Sequence, residues 1–401
     1  MPILVQLCKP NRNYKVFEKK LFKMQLKDKC GEKFSSFLAD KVVAVAGDVS
    51  LHNFGIKDQI LIEEMLDAID IIVHTAGTTT LDERFDVAMD INTMGAFNAI
   101  NFAKMSYVCG GANGLISEEP FRLGQTLKSS SELDINLEKQ LIEEKLSELQ
   151  AQNANEETIT SIMKEFGAIR ANMYGWPNTH TFTKAMGEML VMNMKRNIPL
   201  IISRPTAVIG THSEPFPGWI EGVRTIDFVF VEYFKGAITS FVGDPNKTMD
   251  MVPADMVINS MIIALLVHSK CNLSNNFICY HIGTSLRNPI KLWDIQEIMY
   301  LYITSNPWLR NYEKSGALCE KLLFNPRITE DHEFHQTKAL KRIMNLYRPY
   351  GLEGMYVPYA TYSISFDDEN TEKLRIAIKG VGNMDKEYIT LILRALIGRT
   401  T

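Results

Sequence analysis

Strand-length apolar runs alternate with helix-period segments through the first two thirds of the chain, and this order restricts the fold more than any other feature of the sequence. Ile3 to Leu7, Val42 to Ala46, Ile69 to His74 and Leu200 to Ser203 read as strands. Tyr14 to Leu26, Ile60 to Leu66 and Asp86 to Ala103 read as the helices between them. The strand runs are nearly all apolar rather than alternating, as expected of strands covered by helices on both faces. The prediction is an α/β fold with a doubly wound parallel sheet.

With 401 residues the chain exceeds one ordinary core. The texture becomes mixed aromatic, basic and proline-containing from Pro289 through Tyr359, so a larger domain is expected over residues 1–285 and a smaller, mostly helical one over 286–401. Inside the larger domain, Leu133, Leu137, Leu141, Leu146 and Leu149 mark one face of an amphipathic insertion from Ser129 to Gln150. A second helix is expected from Glu156 to Ile169.

Composition narrows the partners. Apolar residues make up 46% and charged residues 22%, with a formal charge of -4, which gives no general attraction to nucleic acid. The six cysteines lack paired metal spacing, so no metal centre is predicted. The longest apolar stretch, Met256 to Val267, is interrupted by Asn259 and Ser260 and falls short of the roughly 20 residues of a spanning helix. Peripheral membrane contact through a few exposed apolar side chains stays compatible with this composition.

Gly47-Asp48-Val49 follows the strand Val42 to Ala46, where a doubly wound sheet turns its carboxyl edge toward a ligand. Asp48 there is either a turn residue or an acceptor for an adenine amino group. Thr75-Ala76-Gly77 ends the next run in small residues that let backbone approach a ribose and nicotinamide. Lys184 and His180 lie four apart and share a helical face. In short-chain dehydrogenases a tyrosine and a lysine at this spacing cooperate: the lysine binds the nicotinamide ribose and lowers the phenol pKa, so that the tyrosine protonates the oxyanion. Here the phenol is replaced by an imidazole that the Lys184 charge should keep neutral. Read alone, the pair reads first as an ordinary solvated lysine and a capping histidine. Tyr174, ten residues before the lysine and across Pro177, does not share its face. Asp255 is expected to cap the helix beginning there, and Phe216 and Trp219 to pack in a substrate loop.

Several blocks together carry a resemblance. Thr79 to Thr93, Phe182 to Glu188, Arg204-Pro205-Thr206, Glu214 to Gly222 and Asp250 to Val257 occur in the order in which the alcohol-forming fatty acyl-CoA reductases of plants have them, and the chain resembles that family over roughly residues 1–300. The resemblance implies a Rossmann-like domain that uses NADPH to reduce a long-chain fatty acyl-CoA to a primary alcohol through a bound aldehyde. It implies Lys184, His180 and a remnant donor, Ser106, as catalytic residues. Asp48, Val49, Thr75, Ala76, Gly77 and Lys184 would face the cofactor. It also implies a place in the cytoplasm or at the endoplasmic reticulum surface, with plastids represented in the family, and leaves the oligomeric state open.

Three departures from the family pattern are expected to matter. The chain begins at what resembles the family's second strand, so the first strand and the glycine-rich turn for the pyrophosphate are expected to be missing and the Rossmann-like sheet incomplete. The strand before Ser106-Tyr107-Val108 looks largely deleted, and His180 stands at the tyrosine position. The alternative expectation is therefore a catalytically inactive relative or truncated gene product, with NADPH affinity no better than roughly millimolar and no recovery of alcohol formation from a tyrosine at 180 alone.

Overall fold

Among the described residues of the computed structural model, five of the six strand pairs run parallel. The described residues are 4–8, 42–69, 71–102, 114–116, 118–128, 132–196, 198–220, 222, 225–234, 240–241, 244–269, 277–306, 323–324 and 364–379. Strand β1 (Leu4–Cys8) pairs with β2 (Val42–Ala46), and β3 (Gly114–Ile116) with Ile364–Phe366, whose partner lies far away in sequence. The longest ladder joins Leu200–Pro205 to Phe277–Ile282, in register from Leu200 opposite Phe277 to Pro205 opposite Ile282. Parallel neighbours require crossover connections. The helix Ala254–Ser269 lies on the connection between Leu200–Pro205 and Phe277–Ile282, and Gln59–Ala68, Gly95–Asn101 and Thr179–Met194 fall between strands along the chain.

The helix Thr179–Met194 packs against Gly95–Asn101. Asn178 starts it, its side-chain oxygen accepting the Thr181 amide at 2.9 Å, and Thr179 through Met189 are buried without a break. Gly187 allows a close crossing, since a Cβ there would lie 2.5 Å from the Asn92 carbonyl oxygen. Around this helix Tyr174, Trp176 and Phe182 stack with Phe85 and the methionines 89, 163 and 186. Each fully buried Met or Phe here stabilises the fold by about 1.5–3 kcal/mol. A second cluster joins Thr225–Phe234 to Leu292–Ser305 through Ile226, Val229, Ile295 and Met299.

Several sequence expectations change. Ile69 to His74 belongs to no strand pair among the described residues, and Ile71 and Val73 are exposed; an apolar run becomes a strand only when a neighbour supplies its ladder, which periodicity does not report. The helix expected from Asp86 to Ala103 is Phe85–Ala88 and Gly95–Asn101 joined through a π-helical segment, Met89–Met94. In the insertion, Ile135–Ala151 buries Ile135, Glu138, Ile142 and Leu149, while Leu137 is 44% exposed. The helical stripe follows the spacing through Glu138, whose charge meets Arg170 on Glu156–Met173, and the leucine pattern concealed it. The expected helix Tyr14 to Leu26 and the candidate Ser106 lie outside the described residues. No helix among the described residues is long and apolar enough to cross a membrane.

Candidate active site

Lys184 emerges from the buried helix beneath the turn Thr75-Ala76-Gly77. Its side chain is 7% exposed, and its Nζ reaches the Ala76 carbonyl oxygen at 3.5 Å. Gly77 lies directly against it: a Cβ there would overlap Nζ and approach Cε to 3.0 Å and Asn92 Oδ1 to 3.1 Å. The turn is stapled to the helix at several points. Asn92, in the π segment, accepts the Thr78 amide at 3.0 Å and donates to Thr183 Oγ1 at 3.0 Å. Thr93 Oγ1 donates to the Thr183 carbonyl at 2.8 Å, and the His180 amide donates to the Leu81 carbonyl at 3.3 Å. A π turn widens a helix by one residue and recurs at functional sites. Here it holds a buried asparagine between both halves of the site.

The electrostatics follow from burial. Removal from water lowers Lys184 to about 8, and no carboxylate among the described residues offsets the loss. His180 falls to about 4, first by burial and then by the Lys184 charge, against the opposing hydrogen bond from its ring to the Thr78 carbonyl; its Nδ1 is buried without a partner. His74 is brought to about 4 by the same two causes. The site at neutral pH is thus one buried ammonium between two neutral imidazoles.

The structure brings Ala76, Gly77, His180 and Lys184 together, with Thr75 exposed at the edge. Asp48 closes a turn, its Oδ1 accepting the Ser50 amide at 3.0 Å and hydroxyl at 2.8 Å. The Val49 carbonyl accepts from Asn98 at 2.9 Å, which seats this second turn against the same helical run that carries Asn92. Tyr174 is turned away, its hydroxyl donating to Glu138 at 2.9 Å; burial and that carboxylate push it up to about 12. Asp255 does not cap its own helix, which begins at Ala254. Its carboxylate instead accepts the amides of His212, Ser213 and Glu214 at 2.8, 2.8 and 3.1 Å and pins the loop holding Phe216, which is 48% exposed. Asn92, His74 and Thr183 were not legible as site residues. The one available signal was a pair of polar residues, Asn92 and Thr93, inside an apolar helical run.

A parallel sheet with crossover helices, two strand-end turns against one helix and a buried lysine across from a glycine define a Rossmann-like dinucleotide-binding reductase domain. Residues 3–261 match the NAD-binding family model described as Male sterility protein. The chain is 40% identical to probable fatty acyl-CoA reductase 4 of Arabidopsis thaliana, over 91% of this chain and 80% of that protein. It is likewise 40% identical to the alcohol-forming fatty acyl-CoA reductase of Simmondsia chinensis, over 91% of this chain and 80% of that one. Among solved structures, the terminal R domain from the myxalamid PKS-NRPS biosynthetic pathway shares the fold, with a TM-score of 0.52 at 12% identity over 98% of this chain and 85% of that one. The chain belongs to the fatty acyl-CoA reductase family.

Proposed function

We propose that this protein is an NADPH-dependent fatty acyl-CoA reductase that takes a long-chain acyl-CoA through a bound aldehyde to the primary alcohol. The observation that carries this is Lys184, buried without a carboxylate partner among the described residues and aimed at the backbone of Ala76 and Gly77. A ribose diol would supply the acceptors that this ammonium lacks, and the bare Cα of Gly77 leaves room for a ring beside it. Lys184 and the Gly77 backbone would hold the nicotinamide end, and the Asp48-Val49 turn the adenine end. When bound, the cofactor supplies the hydride.

Each reduction places negative charge on the substrate oxygen, and the chain must offset it. The Lys184 ammonium is the cation at hand. His180 spends its ring hydrogen on the Thr78 carbonyl and is neutral, so at neutral pH it offers a lone pair rather than a proton. Proton delivery therefore falls to Lys184, whose lowered pKa suits an acid working near neutrality. The state of His180 also favours a second reading, a family member that holds cofactor and acyl-CoA without turning them over.

The purified protein, given palmitoyl-CoA with NADPH or NADH, tests both. Alcohol formation with NADPH, lost in Lys184→Met, is expected. NADPH binding without oxidation would select the second reading, and failure to bind NADPH would overturn the cofactor assignment.

A further inference from the structure

We propose that residues 364–371 position the Lys184 helix through a buried relay, His281 to Arg204 to Glu188, which makes His281 and Arg204 positioning residues of the reductase. The inference rests on the proposed role of Lys184. Glu188 lies one helical turn beyond Lys184 and is fully buried. Arg204, near the end of its strand, grips it with Nη2 on Oε1 at 2.6 Å and Nε on Oε2 at 3.2 Å. The same guanidinium donates to the Glu119 carbonyl at 2.9 Å and lies over the Phe121 ring, while the Phe121 amide donates to Glu188 at 2.9 Å.

His281 is opposite Arg204 in the parallel ladder, its Nε2 2.9 Å from Arg204 Nη1. A guanidinium only donates, so Nε2 accepts and the ring proton sits on Nδ1. That proton is donated to the Asp367 carbonyl at 2.7 Å. The tautomer is thereby set from both sides. The segment that supplies Asp367 is itself held: Ile364–Phe366 pairs with β3, and Glu118 accepts both the His281 amide at 2.9 Å and the Asn370 amide at 2.5 Å. Thr371 Oγ1 donates to the His281 carbonyl at 2.8 Å.

A buried ion pair contributes little net stability compared with apolar packing, because desolvation offsets the attraction. What such a relay supplies is direction. Among the described residues Lys184 has no ion-pair partner, so its amine sits where its helix is placed, and Glu188 is one point at which that helix is held, one turn beyond the bonds of Asn92 and Thr93 to Thr183.

The test compares His281→Gln, whose amide keeps one acceptor and one donor, with His281→Leu, which keeps neither. Lys184 titration is followed by NMR with carbon-13-labelled lysine, which needs no cofactor, and NADPH affinity is measured alongside. His281→Leu is expected to raise the Lys184 midpoint by about one pH unit and to weaken NADPH binding about tenfold, with His281→Gln close to wild type. A folded His281→Leu protein with an unchanged Lys184 midpoint would overturn the proposal. If His281→Leu does not fold, Thr371→Val is measured instead: a smaller upward shift supports the relay and no shift overturns it. A wild-type protein that does not bind NADPH removes the proposed function and leaves the titration test standing.

Discussion

The amine of Lys184 rests against Gly77 so closely that residue 77 has no room for a side chain. Gly77 does not have a left-handed backbone, so alanine is conformationally acceptable there, and the atom in its way is the far end of a flexible side chain. Gly77→Ala is therefore expected to fold with little change in melting temperature while displacing Lys184 and weakening NADPH binding at least tenfold. Unchanged affinity in a fluorescence titration would show that the amine and Gly77 do not share a cofactor site.

Gly187 is the opposite case. A Cβ there meets the Asn92 backbone oxygen at 2.5 Å, and a helix backbone cannot swing aside. Gly187→Ala should cost about 1–3 kcal/mol, read as a lower urea midpoint with unchanged slope. A variant as stable as wild type would mean that the two helices can separate freely.

Acid should destabilise the fold before its carboxylates titrate. His74, His180 and His281 are each held at about 4, in every case chiefly by burial, against 6.5 in an unfolded chain. Between those values the unfolded state binds more protons, so stability falls as pH drops from about 6.5 to 4, by up to about 1.4 kcal/mol per unit for each histidine. Lys184 has the same sign at higher pH: stability should rise from about 8 toward 10.5 as the unfolded state retains the extra proton. Urea midpoints taken stepwise through both windows give the profile, and a flat acid limb would count against neutral buried histidines.

Asp255 governs a loop rather than a helix end. Burial would raise its carboxyl, but the amides of His212, Ser213 and Glu214 outweigh this and bring it down to about 2. Its contribution is present above the ordinary carboxylate value and lost as pH falls through about 2. Asp255→Asn should leave the fold intact and speed proteolytic cleavage within residues 211–219. Equal cleavage rates would show the loop to be held by other means.

The sequence alone determined the α/β class, the helices Gln59–Ala68 and Glu156–Met173 to within a few residues, the helical face shared by Lys184 and His180, and the family, because these depend on local periodicity and on short blocks of adjacent residues. Tertiary structure decided the rest. Ile69 to His74 matched a strand in composition yet joins no strand pair among the described residues, since pairing requires a neighbour that periodicity does not specify. Asp255 sits where a cap would sit, but the donors it meets belong to a loop about forty residues earlier. Asn92 and His74 enter the site, and His281 connects to Glu188, only after segments far apart in the chain are brought together. Burial then gives Lys184, His180 and His74 their charge states, and burial is a property of the packed molecule, not of any residue in its own stretch of sequence.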